Sequence, residues 1–145
     1  GGFNTSTIVA PRTAFIDHPF NEDSNKLEDV EWVLEAGQEY KVVTCEEVVC
    51  KRYFNPGEGL SQPGQYDLVY DWYRRNEHLM CQDAKGFALS ETLARRAGYD
   101  VRIFAFGVLM VELFRTRNVK LKYLVRLFGH LFLPQQIRSV LRRSF

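Results

Sequence analysis

The strongest constraint on how this chain folds lies toward its C-terminus. Between Val119 and Leu133, the residues Leu121, Leu124, Val125, Phe128, Leu131 and Phe132 recur at intervals of three and four. With 3.6 residues per turn, these intervals gather the six side chains on one face, with Lys122, Arg126 and Gly129 opposite. The segment predicts an amphipathic helix whose apolar stripe, Phe128 and Phe132 included, enters the core. Tyr123 and Phe145 then remain as candidates for exposure. Pro134 suits the first position of a further helix, in which Ile137, Val140 and Leu141 repeat the pattern.

Upstream the pattern is more mixed. Thr7–Ile16 reads as an extended segment interrupted by Pro11. Lys26–Ala36 reads as a short helix capped by Ser24 or Asn25, with Leu27, Val30, Val33 and Leu34 on one face and Gly37 as its stop. Tyr40–Thr44 and Val48–Phe54 are rich in β-branched and aromatic residues and predict strands. Asn55-Pro56-Gly57-Glu58-Gly59 and Gln62-Pro63-Gly64 form a punctuated loop. Tyr66–Tyr73 alternates like a strand, yet a helix with Leu68, Val69, Trp72 and Tyr73 inward fits equally well. Phe87–Ala97 predicts a helix capped by Ser90 and ending at Gly98. Tyr99–Phe114 is the most apolar stretch; it reads as one long buried helix from near Asp100, or as a strand over Val101–Phe106 followed by a helix. The expected fold class is α+β: a mixed N-terminal half with several short strands and one helix, then a helical C-terminal half.

Length and composition set the frame for these elements. At 145 residues with 46% hydrophobic content, the chain suffices for one compact domain over 1–145. It is too apolar for a disordered chain and has too few cysteines for a disulfide scaffold. No run of 18 apolar residues offers a membrane span. A sub-division is visible in charge. Residues 1–85 hold 15 acids and 8 bases, and residues 86–145 hold 3 acids and 11 bases. The formal charge of +1 is thus the sum of an acidic mixed part at −7 and a basic helical part at +8, with the loop 55–65 lying between expected strands. From Leu113 to Phe145 no acid occurs. The opening Gly1-Gly2-Phe3 suggests a processed product or a fragment of a larger protein.

Charge asymmetry of this kind points to an acidic protein surface, a nucleic acid or an anionic membrane, or to the basic half packing on the acidic one. The basic residues concerned are Arg115, Arg117, Lys120, Lys122, Arg126, Arg138, Arg142 and Arg143, with Tyr123 as an interleaved aromatic. Lysines and arginines neutralise phosphates, and exposed rings stack on bases. Aromatics and arginine are also favoured where proteins meet, and 14% of this chain is aromatic.

The soft metal ligands are Cys45, Cys50, His78 and Cys81. Their C-x4-C and H-x2-C pairs have a spacing a tetrahedral zinc site uses, although on one strand positions 45 and 50 point to opposite faces. A thiol nucleophile would need one of His18, His78 or His130 as base; no cysteine lies in a glycine-rich oxyanion turn, and Glu46 and Glu47 beside Cys45 disfavour a thiolate. The carboxylate pairs Asp67/Asp71 and Glu46/Glu47 suit a solvated acidic face. No phosphate-binding glycine loop, H-E-x-x-H or G-x-S-x-G motif occurs. The odd number of cysteines, three, suits free thiols in a reducing compartment, so a cytoplasmic or nuclear setting is expected. These features favour a non-enzymatic interaction domain that binds a protein partner or self-associates through its basic amphipathic C-terminal helices, with no cofactor. RNA or DNA binding through the same basic segment, and a thiol- or zinc-dependent enzyme built on Cys45, Cys50, His78 and Cys81, are the alternatives.

Overall fold

Helices dominate the described part of this chain. In the computed structural model, residues 7–24, 27–43, 65–100, 104–117 and 119–133 are described. Of these, 71% are helical, and no strand occurs among them. The expected α+β architecture with several short strands is therefore corrected to a helical one. The reasons are local. Residues 44 and 48–54, where strand was expected, lie outside the described residues. Tyr40 is used to finish a helix: its N–H donates to the Ala36 carbonyl at 2.8 Å, and its hydroxyl donates to Asp17 Oδ2 at 3.0 Å. Pro11 does not interrupt an extended segment. Its φ of −57° leads directly into helix α1, Arg12–Asp17, where a missing proline N–H costs nothing.

The chain divides into two compact units, Gly1–Ser61 and Gln62–Phe145. The first holds α1 and α2, Glu28–Ala36. Its core is Ala14, Trp32 and Ala36, with Ile8, Ala10, Phe15, Phe20, Val33 and Tyr40 packed around them. Phe15 stacks on Trp32 at a centroid distance of 4.8 Å and Phe20 at 5.7 Å. The indole Nε1–H donates to the His18 carbonyl at 2.6 Å, so the one polar atom of the ring is satisfied as it is buried. Glu31, also buried, accepts from Asn21 Nδ2 and Ser24 Oγ, each at 2.9 Å. Ser24 thus serves a buried carboxylate instead of capping the helix. Glu28, Asp29 and Glu31 in the first turn suit the positive end of the helix dipole.

The second unit is built around a continuous helical rod: α4 (Gln82–Phe87), a π-helical segment (Ala88–Leu93) and α5 (Ala94–Tyr99). The rod starts earlier than the sequence suggested. Ser90 lies buried in its middle, where its hydroxyl donates to the Gly86 carbonyl at 2.7 Å. Around the rod pack α3 (Tyr66–Asn76), α6 (Ala105–Arg115) and α7 (Leu121–Phe132), and a 3₁₀ turn, Glu77–Leu79, follows α3. In α3 the buried residues are Tyr66, Val69, Trp72, Tyr73 and Asn76. Their spacing is helical, and it settles the strand-or-helix ambiguity by placing Leu68 at the surface. Leu89, Leu93, Ala94, Ala97, Leu109, Leu113 and Leu127 fill the centre. Asp100 Oδ2 accepts from the Tyr66 backbone N–H at 2.9 Å and so ties the end of α5 to the start of α3.

Candidate interaction face

Helix α7 is the amphipathic helix expected from the sequence, but it is turned the other way. Its buried residues are Tyr123, Leu127, Gly129 and His130. Leu121 is 75% exposed, Phe128 53%, and Val125 and Phe132 are exposed as well. Leu124 and Leu131 are half-buried at the edge. The stripe assigned to the core thus faces outward, and Tyr123, expected outside, is only 2% exposed.

Specific atomic contacts select the inward face. Gly86 on α4 leaves a notch that the Tyr123 ring occupies: a Cβ at Gly86 would lie 2.5 Å from Tyr123 Cε2 and 2.8 Å from Cδ2. The Tyr123 hydroxyl donates to Asp83 Oδ1 at 3.1 Å and also reaches the Asp83 carbonyl at 3.3 Å. Burial and the Asp83 carboxylate push the Tyr123 phenol above its ordinary pKa of 10.0. One helical turn further, Leu127 is wholly buried, and the His130 ring holds Glu91 Oε2 at 3.0 Å from its Nε2. These contacts pin α7 to the central rod by a ring in a notch and a partly buried polar pair. The helix with the most conspicuous apolar stripe docks by its less apolar side.

The outward stripe is extended by further rings. Phe128 and Phe132 have centroids 4.8 Å apart, and Phe132 meets Phe106 of α6 edge-on at 5.2 Å. Helix α6 has an apolar outer face of its own: Phe104 is 96% exposed, and Val108, Val111 and Phe114 follow it at helical spacing. A helix with apolar residues on both its inner and outer faces is suited to a buried environment. Here the inner side of α6 is covered, by Ala105, Leu109 and Leu113 packing inward, and the outer side is bare.

The basic residues singled out from the sequence fall into distinct settings. Arg115 pairs with Glu112 at 3.0 Å, and Lys120 with Asp83 at 2.6 Å, a hydrogen bond that raises the Lys120 pKa. Arg117, just past the end of α6, adopts a left-handed conformation with φ of 54°. Lys122 lies 5.1 Å from the Tyr123 ring centroid, and Arg126 lies over Phe87 at 5.8 Å. Arg117, Lys122 and Arg126 make no ion pair among the described residues. Arg138, Arg142 and Arg143, the further helix expected after Pro134, and Phe145 lie outside the described residues, as do Cys45 and Cys50. Of the other two soft ligands, Cys81 is an exposed free thiol and His78 is exposed. Among the described residues no group of three or more His, Cys, Asp or Glu is placed to hold a metal. No helix among them is long and apolar enough to cross a membrane.

One polar cluster was not anticipated. Glu112, buried on α6, accepts from the Tyr70 hydroxyl at 3.3 Å and is approached by Arg74 at 3.4 Å as well as by Arg115. Burial, with the Glu112 charge next in weight, raises the Tyr70 pKa. The cluster locks α3 to α6 and leaves Arg115 with a partner. A signal was present in the sequence: Glu112 is the last acid in the chain, set in its most apolar stretch. No protein-family model, curated protein or solved structure matches this chain.

Proposed function

We propose that the second unit is a protein-interaction module whose binding face is the outward apolar side of α7, extended by the outer face of α6. The supporting observation is the orientation of α7: four large apolar side chains, Leu121, Val125, Phe128 and Phe132, stand in solvent while Tyr123 and His130 are buried. Scattered apolar residues on a surface need no explanation, but contiguous patches of this kind mark sites of association. The residues on this face carry no acid, nucleophile or base in a shared arrangement, and their chemistry is that of burial against another apolar surface. The exposed free thiol of Cys81, in a chain with three cysteines, supports a reducing, intracellular setting.

Cross-linking tests the reading. Lys122 borders the face, so an amine-reactive cross-linker applied to the nuclease-treated protein with its bound partners, or with itself, is expected to join Lys122 to the associated chain. The double variant Leu121→Ser, Phe128→Ser is expected to abolish those cross-links while leaving the helical circular dichroism intact. Association that survives the double variant unchanged overturns the proposal.

A further inference from the structure

We infer that the occupant of this face is a helix of another protein, apolar at the seam and acidic along one border. The inference rests on the interaction face proposed above and adds the chemistry of the partner. Two observations carry it. First, the exposed residues of α7, Leu121, Val125, Phe128 and Phe132, are spaced by four, three and four. This is the spacing by which one helix presents a seam to another in side-by-side packing, with each knob entering a hole between four residues of the neighbour. Second, the borders of the seam differ. With 3.6 residues per turn, Lys122 flanks the seam on one side with Arg126 further round the helix behind it, and Leu124 and Leu131 flank it on the other.

Lys122 and Arg126 make no ion pair among the described residues, while the neighbouring Arg115 and Lys120 are already held by Glu112 and Asp83. A partner helix lying in the seam therefore meets an uncompensated positive border on one flank and an apolar border on the other. Carboxylates on the first flank gain, and ammonium groups there are repelled. A one-sided border of this kind orients a helix. A lipid surface, which meets both flanks alike, is matched better by cations on both sides.

The test uses the full chain and a synthetic amphipathic peptide with leucines at seam spacing and glutamates along both borders, against a counterpart with lysines in place of the glutamates. By fluorescence anisotropy the glutamate peptide is expected to bind roughly tenfold or more tightly than the lysine peptide, and less tightly as salt rises. The double variant Lys122→Glu, Arg126→Glu is expected to invert that order, and Phe128→Ser to weaken both peptides. Equal binding of the two peptides overturns the acidic partner and leaves the protein-binding face standing. So does a homodimer, seen by sedimentation and dissolved by Phe128→Ser, which makes a second copy the occupant. Binding to vesicles of anionic phospholipid with neither peptide bound overturns both the inference and the proposed function, as does a monomer that binds none of the probes.

Discussion

The two units of this chain treat their aromatic residues in opposite ways. In the first, Phe15, Phe20 and Trp32 stack on one another, and the single polar atom among them is bonded to His18. In the second, Trp72 and three tyrosines, Tyr66, Tyr73 and Tyr123, are buried, while Phe87, Phe104, Phe114, Phe128 and Phe132 are exposed, with Tyr99. The units also differ in charge. The first holds 11 acids and 5 bases over residues 1–61, and the second 7 acids and 14 bases over residues 62–145. The contrast teaches that the most apolar rings are not always those a chain uses to hold itself together. In the second unit amphipathic aromatics fill much of the interior, and the Tyr123 hydroxyl, set beside the Asp83 carboxylate, is specific as well as apolar. Most of the phenylalanines, which specify nothing but burial, are left for the outside.

That comparison is broken most severely at Trp32. Trp32→Ala removes the centre of the first core and is expected to cost about 3–5 kcal/mol in that unit. The chain has two tryptophans, so Trp72 remains to report on the second unit by fluorescence, and its denaturation midpoint is expected to stay where it was.

Alkaline pH acts on the other side. Burial raises the pKa of Tyr73 well above 10.0, with Glu77 adding to it, and Tyr70 and Tyr123 are raised as well. A phenol whose folded pKa lies above its unfolded one lends stability that is complete below the unfolded value near 10.0 and is lost as pH climbs toward the folded value. The second unit is therefore expected to weaken above about pH 10, with tyrosinate absorbance from Tyr73 rising only as Trp72 fluorescence signals unfolding. A Tyr73 that ionises in the intact unit at its ordinary pKa contradicts this.

A smaller effect is expected at the notch. Gly86→Ala places a methyl group against the Tyr123 ring, an overpacking cost of about 1–3 kcal/mol, from which the better helix propensity of alanine recovers about 1 kcal/mol. A lowered urea midpoint in the Trp72 signal is the expected result. The smallest effect is expected at Phe128→Ser, which is to shift the stability of the free protein by no more than about 0.5 kcal/mol while removing association. A large loss of stability in this variant shows that Phe128 is a core residue and sinks the comparison itself.

Much of the secondary structure was legible. The stripes of α2 and α7 lie where periodicity places helices, because spacings of three and four over ten or more residues admit few alternatives. Tyr66–Tyr73 was ambiguous because aromatic residues there satisfy both periods, and only the burial of Tyr66 and Asn76 at the two ends of α3 decides it. Tyr40–Val43 misled because β-branched content describes what suits a pleated surface, and Tyr40 is committed to closing α2. The candidate site was half legible. Periodicity identified the residues of the α7 stripe correctly as one face. Which side of α7 the chain covers depends on a glycine 37 residues earlier and on an acid at position 83, and no property of the helix's own sequence contains that information.

The notch at Gly86 also acts as a vernier. A slide of α7 by one turn along the rod, about 5.4 Å, would carry the Tyr123 ring off the opening at Gly86 that admits it and part the His130–Glu91 pair at the same time. Position and rotation are thus fixed together, by a side chain that is absent. The outer seam is therefore displayed in one register and at one azimuth, and a partner helix meets a surface already set for it, with none of its binding energy diverted to aligning α7.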